Sequence, residues 1–192
     1  MSNTKPIVIC GPSGAGKGTL IAKVMEKHPK RFGFAVSHTT RLPRVGEENG
    51  VHYHFVEKDN VIQQIKDGMF IESAEVHGNV YGTSFATVQD QIEAGRTCIL
   101  DIDVQGVRNV KASDMAAHYV FIAPPSMALL EERLRARGTE KEEAIVKRLA
   151  NAQGEMDYGS EEGAFDVTVV NNDLETASVE FVAAIEKLAG IV

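Results

Sequence analysis

Ile7-Val8-Ile9-Cys10-Gly11-Pro12-Ser13-Gly14-Ala15-Gly16-Lys17-Gly18-Thr19 is the stretch on which the fold turns. A short apolar run feeds a glycine-rich turn, and Leu20, Ile21, Val24 and Met25 then recur at helical spacing. From Gly11 to Lys17 the spacing is G-x-x-x-x-G-K, that of a phosphate-binding loop. Glycines let successive backbone N–H groups turn inward as an anion nest, and the helix that starts nearby adds its positive end. Lys17 supplies a mobile cation for β- and γ-phosphates. A turn that merely joins a strand to a helix does not account for three glycines and a lysine in this context. One departure matters: the hydroxyl residue that usually follows the lysine, a magnesium ligand in many such loops, is Gly18, with Thr19 next. A shift of one residue rotates a helical side chain by about 100°, so Thr19 does not simply take over the metal.

Working outward, 192 residues suffice for one compact unit with a real core and room for insertions. The 43% hydrophobic and 24% charged content is that of an ordinary soluble protein. No apolar run approaches the ~20 residues of a membrane span, and the first residues lack the apolar region of a signal peptide. Cys10 and Cys98 both sit in apolar, strand-like runs. Buried free thiols in a reducing compartment, the cytoplasm, are therefore expected rather than a disulfide. A net charge of −7 argues against nucleic acid as a partner, so any basic site must be local.

Beyond the loop, the helix is expected to stop near His28-Pro29. Phe34–Ser37 reads as a short strand. It runs into the polar stretch Ser37-His38-Thr39-Thr40-Arg41-Leu42-Pro43-Arg44, where Arg41 and Arg44 offer planar forks suited to phosphate. Taken alone, they would read as two solvated arginines. From Val51 to Gln91 short strands alternate with one helix, Asp59 to Lys66, which predicts an insertion with its own small sheet. His38, His52, His54 and His77 lack the spacing of a zinc site, and none is expected.

Thr97 to Asp103 reads as a buried strand ending in two carboxylates, with Asp101 and Asp103 on one face. In open α/β sheets ligands bind beyond the carboxyl ends of strands, where such groups suit a hydrated magnesium ion or a substrate N–H. A solvated strand terminus is the plainer alternative. Tyr119 to Pro125 is another buried parallel-type strand. Ser126 to Gly159 is charged and helical, with Arg133 and Arg137 four apart on one face and Arg148 on a second helix after Gly138-Thr139. Surface pairing with flanking glutamates suits Arg135 and Lys147. A lid that brings arginines over phosphates suits the other three. A strand from Val167 to Asn172 and an amphipathic helix from Leu174 to Leu188 close the chain. The order predicts an α/β fold, a parallel sheet wrapped by helices with right-handed crossovers.

These pieces resemble the guanylate kinase family. The matching segments are Gly11-Pro12-Ser13-Gly14-x-Gly16-Lys17, Ser37-x-Thr39-Thr40-Arg41-x-Pro43-Arg44-x-Gly46-Glu47, Asn49-Gly50-x-x-Tyr53 and Phe70-Ile71-Glu72. Tyr81-Gly82-Thr83, Ile99-Leu100-Asp101-Ile102-Asp103-x-Gln105-Gly106, Pro124-Pro125-Ser126, Arg137-Gly138-Thr139 and Val170-Asn171-Asn172-Asp173 continue the match. The resemblance implies a P-loop core made of residues 1–36, 92–126 and 159–192, a mobile GMP-binding insertion of residues 37–91 and a helical lid of residues 127–158. It implies reversible transfer of the ATP γ-phosphoryl group to GMP and dGMP by a monomer, with Mg2+ accompanying ATP and neither nucleic acid nor membrane as partner.

Residue by residue, the resemblance assigns Gly11, Ser13, Gly14, Ala15, Gly16, Lys17, Gly18, Thr19 and Asn171 to ATP. Gly18-Thr19 is tolerated among nucleoside monophosphate kinases, which leaves magnesium to phosphates and water, with Asp101 orienting the water shell. Ser37, Glu72, Thr83 and Asp103 correspond to the groups that meet guanine. Arg41, Arg44, Tyr53 and Tyr81 correspond to the clamp on the GMP phosphate. Lys17, Arg41, Arg133, Arg137 and Arg148 correspond to the catalytic cations. Thr83 stands where the family often has serine. Two alternatives are a non-catalytic guanylate-kinase-like scaffold module, whose loop is typically degraded, and a kinase for another monophosphate. The intact Lys17 and glycines count against the first, and Glu72, Asp103 and Tyr81-Gly82-Thr83 against the second.

Overall fold

The computed structural model describes residues 5–76, 78–136 and 142–191. In chain order the elements are β1 (Ile7–Cys10), α1 (Lys17–Lys27), β2 (Phe32–Phe34), β3 (His38–Thr39), β4 (His54–Phe55), α2 (Lys58–Lys66), β5 (Phe70–Val76) and β6 (Asn79–Ser84). There follow α3 (Phe85–Glu93), β7 (Thr97–Asp101), α4 (Val104–Ala112), β8 (His118–Ala123), α5 (Met127–Ala136), α6 (Glu142–Gly159), β9 (Val167–Val170) and α7 (Leu174–Leu188). The larger sheet is parallel throughout, in the order β2-β7-β1-β8-β9. The smaller one, β4-β3-β6-β5, mixes parallel and antiparallel pairs.

The apolar run at 7–10 makes sense as the centre of this arrangement. Ile7 and Ile9 enter the core shared with Leu20, Val24, Phe181 and Ile185 of α1 and α7. Val8 and Cys10 enter the core on the other face, with Leu100, Val107 and Phe121. All four residues of β1 are fully buried, so a strand covered on both faces has no polar alternation. The chain passes to one side of β1 with β2 and β7 and to the other with β8 and β9. That switch opens a crevice beyond the carboxyl end of β1, where Gly11 begins. A third cluster, Leu130, Leu134, Ile145 and Ala152, packs α5 against α6.

The predicted α/β architecture, with a parallel sheet flanked by helices, is the one observed. Three local expectations change. The strand expected at Phe34–Ser37 lies at Phe32–Phe34, because Phe32 is driven into the core and pairs with Thr97. Ala35 makes one further bond, donating its N–H to Ile99 O (2.9 Å), before the chain leaves the sheet. Asp101 and Asp103 do not ride one continuing strand: the ladder ends at Asp101, and Asp103 caps α4 by accepting from Gly106 N at 2.8 Å. The stretch from Val51 to Gln91 holds two helices where one was expected: α2 begins one residue early, at Lys58, and α3 begins at Phe85, where the Ser84 side chain caps it by accepting from Thr87 N. Both cysteines are free and buried, and burial pushes each thiol up to about 12. His77 and Arg137 lie outside the described residues. Among the described residues no helix is long and apolar enough to cross a membrane.

Candidate active site

The loop after β1 is shaped by glycine. Gly14 and Gly16 hold φ of 96° and 92°, which L side chains rarely adopt. Gly11 has a second constraint, since a Cβ there would lie 2.1 Å from the Ile122 carbonyl oxygen. Gly16 caps α1 without a side-chain cap hydrogen bond, and a Cβ there would lie 2.3 Å from Asn171 Nδ2. The first N–H groups of that helix lack intrahelical acceptors and make an anion site. Asn171 braces the loop from within: buried to 5% exposure, it donates Nδ2 to Ala15 O at 2.7 Å.

Cations gather over this cradle. Lys17 Nζ donates to Gly11 O (2.5 Å) and Pro12 O (3.3 Å) and lies 3.8 Å from Asp101 Oδ1. Arg133, from α5, donates to Asn171 O (2.9 Å) and Asn172 O (3.2 Å). Arg148, from α6, donates to Ser13 Oγ at 3.2 Å. By contrast Arg135 pairs with Glu131 and Glu142 on the surface, as its flanking glutamates suggest. Gly18 and Thr19 are exposed, and a Cβ at Gly18 would meet nothing within 4 Å.

Carboxylates face the same cradle. Asp101 is pushed above its usual range by burial, against the pull of Lys17. Glu155 of α6 is raised to about 7 by burial, with Lys17 opposing and Asp103 and Asp101 adding. Nothing in the sequence reading singled out Glu155, because one acid in a charged helix carries no distinctive spacing. Hard oxygen donors around an anion cradle fit a hydrated magnesium ion.

The small sheet assembles the other end. Ser37 Oγ and Thr83 Oγ1 are 2.9 Å apart. Glu72 pairs with Thr83 across β5 and β6 and is raised to about 7, chiefly by burial, with Thr83 hydrogen bonds opposing. Its side chain packs on Gly106, where a Cβ would come within 2.9 Å of Glu72 Cγ. Gly106 N is also the group that Asp103 caps, so Glu72 and Asp103 flank one glycine. Beside them Arg41 makes two 2.6 Å bonds to Glu47. Its guanidinium lies 5.2 Å from the Tyr53 ring centre, and Tyr53 meets Tyr81 edge-on at 5.9 Å. Arg44 is exposed, its backbone N–H donating to Glu47 Oε2 at 2.7 Å. Glu47 thus organises both arginines, and its own carboxyl is held at about 2, first by Arg41. The matching segment contained Glu47, but a role for it emerges only from the turn at Gly46 (φ 86°) that folds the segment back. His38 and His54 stack at 4.8 Å, and among the described residues no cluster of three or more metal-ligating side chains forms.

The comparisons with known proteins agree with this geometry. The family model described as guanylate kinase matches residues 3–188. The chain is 50% identical to guanylate kinase of Homo sapiens over 187 residues, 97% of this chain and 95% of that protein. It is 58% identical to guanylate kinase 1 of Oryza sativa subsp. japonica over 171 residues, 89% of this chain and 45% of that protein. It therefore spans less than half the length of that plant relative. A crystal structure of guanylate kinase from Anaplasma phagocytophilum superposes with a TM-score of 0.68 at 28% identity, covering 98% of this chain and 88% of the other. A glycine cradle at one end, a small acidic and hydroxyl-lined sheet at the other, and a family match running through both lead to one conclusion: the chain belongs to the guanylate kinase family.

Proposed function

We propose that this chain transfers the γ-phosphoryl group of ATP to the phosphate of GMP, and of dGMP, yielding ADP and the nucleoside diphosphate. The observation that carries this reading is the pairing of two unlike ends, a cationic glycine cradle holding Lys17 and a base end where Glu72 and Asp103 flank Gly106. Guanine presents N1–H and an exocyclic amine side by side, and carboxylates accept from both. The hydroxyls of Ser37 and Thr83 complete the edge. Adenine would leave these acceptors unpaired, and sites built on such bonds discriminate by ~10⁴ or more.

In this reading one oxygen of the GMP phosphate attacks the γ-phosphorus in line, and the bond to the β–γ bridging oxygen of ATP breaks. No side chain acts as nucleophile. Lys17, Arg133, Arg137 and Arg148 stabilise charge on the transferring group, and Arg41, Arg44, Tyr53 and Tyr81 hold the acceptor phosphate. Magnesium, when it accompanies ATP, neutralises charge on the β- and γ-phosphates. Asp101 is the residue that would orient the water shell of that ion, since Gly18 offers no hydroxyl. Closure of the 37–91 insertion and the 127–158 lid excludes water. The buried free thiols agree with a cytoplasmic site of action.

A coupled assay of ADP release, with ATP and each of GMP, dGMP, AMP, CMP and UMP, tests the proposal. GMP and dGMP are expected to be turned over and the other three to be at or near background. A preference for AMP, or no turnover with any acceptor, would overturn it.

A further inference from the structure

We infer that Asn109 is a positioning residue for guanine selection: from α4 it pins a β-bulge in β5 and so aims Glu72 at the base. The inference rests on the proposed role of Glu72 and asks what sets that carboxylate's direction.

Pairing between β5 and β6 is regular from Val76↔Asn79 back to Glu72↔Thr83, and then Phe70 pairs with Ser84. Two steps on β5 are matched by one on β6, so Ile71 is the extra residue of a bulge. Its consequence is specific. Continued without the bulge from Phe70↔Ser84, the ladder would set Ile71 opposite Thr83 and Glu72 opposite Gly82. With the bulge, Glu72 faces Thr83, whose hydroxyl meets Ser37 at 2.9 Å. The slip therefore brings the carboxylate and both hydroxyls to one place.

A bulged residue leaves its backbone groups out of the ladder, and these need partners elsewhere. Ile71 O accepts from Asn109 Nδ2 at 2.7 Å. Asn109 is oriented in turn by Gln105, whose Nε2 donates to Asn109 Oδ1 at 3.0 Å one helical turn earlier. Ile71 is fully buried, so its side chain anchors the bulge in the core while Asn109 holds the carbonyl. On the same helix Gly106 receives the stem of Glu72, and a Cβ there would lie 2.9 Å from Glu72 Cγ. Gln105, Gly106 and Asn109 thus present one surface of α4 that dictates both where β5 slips and where Glu72 points. Asp103, the second base acceptor, caps the same helix. The two acceptors are consequently set by a single rigid element.

The test compares kcat and KM for GMP and for inosine monophosphate, which lacks the exocyclic amine, in Asn109→Ala, Asn109→Asp and Glu72→Gln. Asn109→Asp retains the shape and removes the donor. Both Asn109 variants are expected to raise KM for GMP by about tenfold, from one lost bond to a carbonyl, with kcat within about twofold. They should also shrink the preference for GMP over inosine monophosphate by about tenfold. Glu72→Gln should shrink it at least as much. If Glu72→Gln leaves that preference intact, the role given to Glu72 is wrong. If Glu72→Gln collapses it while the Asn109 variants leave both KM and preference unchanged, the inference about Asn109 is overturned. A lower Tm with unchanged preference overturns it too, because the bond would then be structural only.

Discussion

In the proposed reading the backbone does the gripping at the phosphate end: Gly11, Gly14 and Gly16 bend the chain, and Asn171 ties it to the end of β9. At the base end the proposed gripping groups are side chains that arrive from four places, Ser37 ahead of β3, Glu72 on β5, Thr83 on β6 and Asp103 at the start of α4. Backbone recognition suits an anion that looks alike in every nucleotide. Side-chain recognition suits a base that must be told from its relatives, since a carboxylate can be aimed and an amide nest cannot. One end takes its backbone groups from a single short stretch of sequence. The other is dispersed and depends on how two sheets meet α4.

The two ends should therefore separate under mutation. Lys17→Met, at the backbone end, is expected to lower kcat by at least ~10³-fold, as loss of transition-state charge stabilisation does. The Kd for GMP, read by calorimetry, should stay within about twofold, because among the described residues the lysine's hydrogen bonds go to Gly11 and Pro12 and its ion pair to Asp101, all at the cradle. A variant with nearly normal kcat would remove Lys17 from the chemistry, and one that lost GMP binding would dissolve the distinction between the ends.

Glu47→Gln probes the other side. It loses the charge that holds Arg41 in a two-pronged pair. A rise of about tenfold in KM for GMP is expected, with KM for ATP unchanged. An equal effect on both substrates would show the ends to be mechanically coupled.

The smallest effect sharpens the comparison through pH. Burial raises the Glu72 carboxyl from 4.5 to about 7, so the folded free protein binds that proton more tightly than the unfolded chain. Its contribution to stability is then complete below pH 4.5 and is lost as pH rises through about 7. Glu155 adds in the same direction. Glu72→Gln should flatten the fall in Tm between about pH 5 and about pH 8 by a few degrees. GMP affinity of the wild type should rise over the same interval, since the ionised form is the acceptor. A pH-independent affinity would mean that Glu72 does not meet the base as a carboxylate.

This asymmetry also explains what could be read in advance. The cradle was legible because an anion nest requires glycine at set positions, and α7 because Leu174 to Leu188 repeats its apolar residues at helical spacing. The β2 boundary slipped because Phe34-Ala35-Val36 looks more strand-like than Phe32-Gly33-Phe34, while burial of Phe32 decides the pairing. Asp103 reads equally well as a strand residue, because an aspartate two residues past Asp101 fits alternation as well as it fits a helix cap. Glu155 and Asn109 have no sequence signal of their own, and Glu47 has only its place in the matching segment. Their importance comes from Lys17, Arg41 and Ile71, partners supplied by tertiary folding. The base end was nameable by resemblance alone, and its bulge by no sequence pattern.

The cap that Asp103 places on Gly106 N gives the molecule an internal reporter. In the proposed reading an arriving guanine competes for a carboxylate whose Oδ1 already serves a backbone amide. The chemical shift and deuterium exchange of that single N–H should then register base occupancy directly, without any label and independently of turnover.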